Sequence, residues 1–332
     1  MIKLTSLGDV LHATGHIRTI KENFPNGSIT VLTADTSHDI FKYNKHVDRV
    51  LLFEKERAKR EWLKNPKWTL GHILSLIREV RSVKYDLAFD LQGRFKSVIF
   101  LYTANAKRKY VKGRWPFLKF FKKPEIHAIK EMDQVLKMAG LRVRNSEMEI
   151  FTSSTEEKFI QSLLGRINPE KKRIMVVSPF TRWKTKNWGA EKFKALLDDF
   201  PIDVLVVFTG ARDKKKEIDQ LMSEVRYHSM VNLAGELTLL EFAELMKYVD
   251  LVLTGDSFPM HLASAFHAPL IALFGPTDEQ RIGPVGKHST VIRSAKLCLR
   301  CYRRDHCEKN CISFIEPQTV LTEIQNRMGM SG

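Results

Sequence analysis

Two apolar runs, Leu251-Val252-Leu253 and Leu270 to Phe274, have strand length, and the chain between them cannot be strand. It holds a polar loop, Thr254 to Ser257, and then a segment from Pro259 to His267 with helical spacing. Pro259 suits the first helical turn, and Met260, Ala263 and Phe266 or His267 fall on one face. Pro269 and Gly275-Pro276 bound the second run. Strand, loop, helix, strand is one turn of a parallel βαβ winding, which places the loop at the carboxyl edge of the sheet, where ligands bind. The amides that open the helix favour an anion there. Asp256 and Ser257 accordingly read either as caps of the helix or as ligand contacts.

The alternation recurs on both sides of a polar linker. Ile2 to Thr5, Ser28 to Leu32, Val50 to Phe53 and Tyr85 to Leu91 read as strands, and Asp9 to Asn23, Leu70 to Val83 and Ile129 to Ala139 as helices. Glu54 to Lys67 reads as an exposed helix or a loop. After a helix over Thr152 to Ile167 and the linker Asn168 to Lys172, strands at Ile174 to Val177 and Val204 to Phe208 begin a second set. A chain of 332 residues exceeds one ordinary core. The expected architecture is therefore α/β: two Rossmann-like, doubly wound domains facing across a cleft. The expected boundaries are 1–167 for an N-terminal acceptor-binding domain and 172–315 for a C-terminal nucleotide-sugar-binding domain. A last segment, 316–332, carries a helix over Pro317 to Arg327 that would pack back on the N-terminal domain.

Four stretches carry the chemistry. Ser6-Leu7-Gly8-Asp9-Val10-Leu11-His12 turns from the first strand into a helix; Gly8 permits close backbone approach, and Asp9 sits where the positive end of the helix favours a carboxylate. Asp90-Leu91-Gln92-Gly93-Arg94-Phe95-Lys96-Ser97 follows a strand and presents Arg94 and Lys96. Thr181 precedes Lys186-Asn187-Trp188 in one loop. Asp256-Ser257-Phe258-Pro259-Met260-His261 is followed by Leu273-Phe274-Gly275-Pro276-Thr277-Asp278. Together these resemble the motifs of the ADP-heptose:lipopolysaccharide heptosyltransferase family, glycosyltransferase family 9, over nearly the whole chain. Phe258 departs from the small residue usual there, which bears on the shape of the sugar pocket.

The resemblance implies a GT-B fold and an inverting transfer of heptose from ADP-heptose to the lipopolysaccharide inner core. Asp9 would be the general base, and Gly8, Arg94 and Lys96 would meet the acceptor. Thr181, Lys186, Asp256, Ser257, Pro259, Met260 and His261 would line the donor site, with Lys186 and the helix-start amides stabilising the departing ADP without a catalytic metal or other cofactor. Two alternatives stand beside this: an enzyme of similar architecture using another nucleotide-sugar, as transferase or epimerase, and a nucleic-acid-binding protein.

Charge bears on partners. The formal net charge is +16, of which residues 1–150 carry +13. Lys107 to Lys123 holds eight basic residues, no acidic one, and the aromatics Tyr110, Trp115, Phe117, Phe120 and Phe121. Such a segment suits a membrane surface bearing an anionic lipid-linked saccharide; it could also stack on single-stranded nucleic acid, but the family resemblance favours lipid. The start, Met1 to Val10, lacks an uninterrupted apolar stretch, so the expected location is cytoplasmic, peripheral on the inner face of the inner membrane. Cys298, Cys301, Cys307 and Cys311 lie close together, and clustered thiols in a reducing compartment read as a structural zinc or iron-sulfur site or as unligated thiols.

Overall fold

The computed structural model describes residues 1–113, 126–198, 200, 201, 203–294, 300–308 and 310–329. The chain divides into two compact units, Met1–Phe151 and Thr152–Gly332.

In the first unit, β1 (Thr30–Ala34) pairs in parallel with β2 (Arg49–Phe53), and β3 (Tyr85–Asp90) with β4 (Ala106–Val111). The two pairs are joined by the start of the chain, which forms a bridge at Ile2 to Leu32 and to Asp90, both parallel, instead of the strand expected over Ile2 to Thr5. The backbone bonds Ile2 N to Phe89 O (2.7 Å), Lys3 N to Leu32 O (3.0 Å) and Leu91 N to Ile2 O (3.0 Å) run on both sides of it. The resulting order, β2, β1, Ile2, β3, β4, reverses direction between Ile2 and β3, and such a reversal opens a crevice at the carboxyl ends. Ile2, Leu4, Leu32, Leu51, Phe100 and Leu101 form the core between sheet and helices.

The helix expected over Asp9 to Asn23 is two, Leu7–Leu11 and Thr14–Asn23. Thr14 Oγ1 donates to Leu11 O (2.8 Å) and Ala13 N to Val10 O (3.0 Å), so the chain tightens at His12-Ala13 and restarts. The second helix is locked to Ala128–Met138 by a buried contact between His16 Nε2 and Asp133 Oδ1 (3.0 Å), to which Ser146 Oγ also donates. Burial by itself would raise the Asp133 carboxyl, but the bonds from His16 and Ser146 and the charges of His16 and Lys130 outweigh it and hold it at about 2. A depressed carboxylate stabilises the fold above its unfolded value, near 3.8, and loses that contribution as pH falls through about 2. Acid titration of Asp133→Asn, followed by circular dichroism, should show a smaller loss of stability between pH 4 and 2 than the parent shows; an unchanged acid slope would remove this contact as its source.

The second unit has one parallel sheet of β5 (Arg173–Ser178), β6 (Val204–Phe208), β7 (Met230–Asn232), β8 (Leu251–Gly255), β9 (Leu270–Phe274) and β10 (Ser289–Arg293). Its order is β10-β9-β8-β5-β6-β7, with the reversal between β5 and β8. β5, β6, β8 and β9 are buried almost end to end, as a sheet covered on both faces requires.

Two boundaries differ from those the sequence predicts. The helix Ser154–Ile167 belongs to the second unit, because Ile160 and Leu163 are buried and the helix packs on Leu239–Leu245. Asn168 to Lys172 is a closed turn into β5, held by Lys172 N to Asn168 Oδ1 (2.9 Å) and Asn168 Nδ2 to Lys172 O (2.8 Å). The final helix, Pro317–Arg327, belongs to the second unit, where Val320 and Ile324 enter the core and the helix packs against Ala190–Asp198.

Candidate active site

The motifs fall at the carboxyl ends of strands flanking the two reversals. In the first unit, Asp9 is the third residue of the helix Leu7–Leu11, and its Oδ2 accepts from Ser6 N (3.1 Å) and Ser6 Oγ (2.9 Å). Ser6 and Asp9 thus form a reciprocal cap, which also fixes the orientation of the carboxylate. Gly8 is buried beside it. Across the reversal, Asp90 is buried and organises the next loop: Oδ1 accepts from Gln92 N (2.8 Å) and Gly93 N (3.1 Å), Oδ2 from Ser97 Oγ (2.8 Å). Burial raises the Asp90 carboxyl, against these bonds and the nearby Lys3 charge. Gln92 Oε1 accepts from Thr5 N (3.2 Å), tying the two loops together.

Gly93 is in the left-handed region (φ 62°), and a Cβ there would lie 2.1 Å from Lys112 O, so no other residue fits between the loop and the end of β4. Arg94 and Lys96 follow at the start of the helix Phe95–Thr103, both exposed.

Sequence reasoning missed Lys3. It is buried, donates to Leu91 O (3.1 Å), and interacts electrostatically with Asp9, Lys112, Asp90 and Glu131. Burial lowers it most, Asp9 raises it, and the balance leaves it at about 8. The available signal was a lysine between Ile2 and Leu4 in what reads as a buried central strand.

In the second unit, Lys186 Nζ lies 2.6 Å from Asp256 Oδ2 and 3.2 Å from Asp256 O, and 4.2 Å from the centre of the Trp183 ring. Asp256 is buried and Lys186 nearly so. Thr181 N donates to Asn187 Oδ1 (2.6 Å) and Thr181 Oγ1 to Trp183 O (2.9 Å), which folds the loop back on itself. Trp188 is a core residue: it is buried, its Nε1 donates to Ile315 O (2.9 Å), and its ring meets Phe193 edge-on at 4.9 Å. The spacing of Lys186 and Trp188 thus has a plain cause: one residue anchors the loop and the other presents the ammonium. Trp183, the platform under that ammonium, was also missed, since nothing local marks it apart from other loop aromatics.

Ser257 is the N-cap of the helix Phe258–Ala265 through its backbone geometry; its Oγ donates to Gly255 O (3.3 Å) and meets Thr254 Oγ1 (3.1 Å). Pro259 is in the first turn, as expected, and Met260 and His261 are buried in the helix. His267, at φ 54°, closes the segment, so the helix is slightly shorter than the sequence predicts.

Among the described residues, no three His, Cys, Asp or Glu side chains converge as metal ligands. Cys298 lies outside the described residues; Cys301 is exposed, Cys307 half-buried and Cys311 buried, its Sγ 3.7 Å from where a Cβ on Gly275 would be. Of the basic stretch, Lys107, Arg108, Lys109 and Lys112 are in or beside β4, and 114–123 lie outside the described residues. Among the described residues no helix is long and apolar enough to cross a membrane.

A sequence model of glycosyltransferase family 9 (heptosyltransferase) matches residues 73–312. Lipooligosaccharide heptosyltransferase 2 of Campylobacter jejuni is 25% identical over 335 aligned positions, covering 97% of this chain and 95% of the relative. Two solved structures share the fold. A glycosyl transferase family 9 structure from Veillonella parvula has a TM-score of 0.83 at 19% identity, covering 99% and 96% of the two chains. The ADP-heptose lps heptosyltransferase II of E. coli has a TM-score of 0.74 at 20% identity, covering 98% and 97%.

Proposed function

The chain belongs to glycosyltransferase family 9, a GT-B glycosyltransferase family, and from that premise we propose that it transfers heptose from ADP-heptose to a sugar hydroxyl of the lipopolysaccharide inner core, with inversion at the anomeric carbon. The observation that carries the reading is the donor-side arrangement: a lysine held against Asp256 and Trp183 at the opening of the helix Phe258–Ala265. An ammonium and helix-start amides at the ends of two neighbouring strands are the groups a departing diphosphate requires, because negative charge grows on it as the glycosidic bond breaks.

In this mechanism Asp9 takes the proton of the acceptor hydroxyl as that oxygen attacks the anomeric carbon. Arg94 and Lys96, exposed cations near the Asp90 loop, meet anionic groups of the acceptor. Lys186 has three N–H donors, so it can turn one to a phosphate oxygen while Asp256 keeps its side chain in place. Asp256 is itself too negative to meet the diphosphate; Thr181, Ser257 and His261 complete the donor site, with Pro259 and Met260 shaping the helix that carries it. The acceptor is an anionic, lipid-linked saccharide, and the protein works at the cytoplasmic face of the inner membrane.

A thermal-shift screen across ADP, UDP and GDP and their sugars tests the donor. Stabilisation by ADP and ADP-heptose well beyond that by the uridine and guanosine compounds is expected. A preference for either of the others would overturn the donor assignment, and no nucleotide response at all would overturn the reading.

A further inference from the structure

The helical pair Lys55–Lys64 and Pro66–Arg81 has two apolar faces, only one of which the fold uses. Ala58, Leu76 and Val80 point into the first unit's core. On the other side, Leu63 (89% exposed), Leu70 (57%) and Leu74 (43%) stand in solvent, and Trp62 (59%), four residues on from Ala58, is exposed beside them where the first helix ends. Leu63 is in the last turn of the first helix, next to the Asn65-Pro66 junction, and the second helix carries Lys67, Leu70, Leu74, Arg78 and Arg81 at spacings of three and four, which is one stripe. All five stripe residues are exposed and none is acidic.

We propose that this outer face is a docking surface for an anionic lipid bilayer, with Trp62, Leu63, Leu70 and Leu74 entering the headgroup boundary and the flanking cations meeting lipid phosphates. The charge selects the occupant. Lys59, Arg60, Lys64 and Lys67 are exposed around the junction, so a second copy of the same face would meet like charge, whereas a negatively charged surface is attracted. Three of the four apolar residues are leucines, which cannot stack on bases, so a single-stranded nucleic acid would gain only Trp62. An amphipathic face with leucine and tryptophan inside a rim of lysine and arginine is what an interfacial helix requires. The lipid partner rests on the function proposed above; the surface itself does not, and it is distinct from the Lys107–Lys123 segment.

The test uses the full chain and flotation with vesicles of phosphatidylcholine, with or without phosphatidylglycerol. Partitioning onto the anionic vesicles should exceed that onto neutral ones by at least about ten-fold, and Lys64→Gln and Lys67→Gln should each lower it by about five-fold. The triple variant Leu63→Ser/Leu70→Ser/Leu74→Ser should lose at least about ten-fold while its thermal transition and its response to ADP stay as in the parent. Emission from Trp62 should shift to the blue on vesicles, and Trp62→Phe should remove that shift, which reads the same contact without touching the leucines. Vesicle binding by the triple variant equal to the parent's, absence of binding by the parent, or leucine-dependent self-association in sedimentation would each overturn the proposal. Failure of the parent to transfer heptose in solution would strike the proposed function and leave the docking surface intact.

Discussion

Asp9→Asn should lower kcat by roughly 10²–10⁴-fold and leave the affinity for ADP-heptose within about two-fold, because general-base catalysis contributes on that scale and binding on the donor side does not use this carboxylate. The substitution is informative because of what it spares. Asn can still accept from Ser6 N and Ser6 Oγ, two of the contacts that hold Asp9, so the helix Leu7–Leu11 keeps its start. What is lost is the charge that takes a proton. Single-turnover kinetics with a saturating donor, beside calorimetric titration of ADP-heptose, separate the two quantities. Turnover within a few-fold of the parent would make Asp9 a cap and nothing more.

For Lys186→Ala, ADP should bind at least about ten-fold more weakly, and the loss should exceed that of a single charge-assisted hydrogen bond. The reason is Asp256. With the ammonium gone, a buried carboxylate 2.6 Å from the former charge is left without its partner and repels the diphosphate. Lys186→Ala/Asp256→Asn should therefore bind ADP more tightly than Lys186→Ala alone, and it should also recover part of any lost thermal stability. Calorimetry on the parent, on Lys186→Ala, on Asp256→Asn alone and on the double variant closes a double-mutant cycle. Additive effects of the two substitutions would mean that the pair does not act as a unit, and unchanged affinity in Lys186→Ala would remove it from the site.

Much of the second sheet was legible because its strands are continuous apolar runs between strong breakers. Leu270 to Phe274 begins after Pro269 and stops at Gly275, and the strand has those bounds. β4 was not legible: Ala-Lys-Arg-Lys-Tyr-Val is an edge strand with exposed cations, and charge hid its extended conformation. The break at His12-Ala13 was hidden as well, since it depends on a threonine bonding back to Leu11 where helical spacing is otherwise kept. At the candidate site, Asp9, Asp256 and Lys186 were singled out through local wording. Lys3 and Trp183 matter through residues far along the chain or across a loop, and a one-dimensional pattern does not contain those contacts. The linker was misplaced for a similar reason: Asn168 to Lys172 has the composition of a flexible joint, while its asparagine side chain closes it into a turn.

The amide of Gln92 bonded to Thr5 joins the turn that carries Asp9 to the loop that leads to Arg94 and Lys96. In the proposed mechanism this mounts a base and two anion-seeking side chains on one fixture, so a new acceptor is accommodated by changing the length or charge of Arg94 and Lys96 rather than by moving either loop. Diversification of such a transferase toward other saccharides would accordingly leave Gln92 alone and rewrite its neighbours.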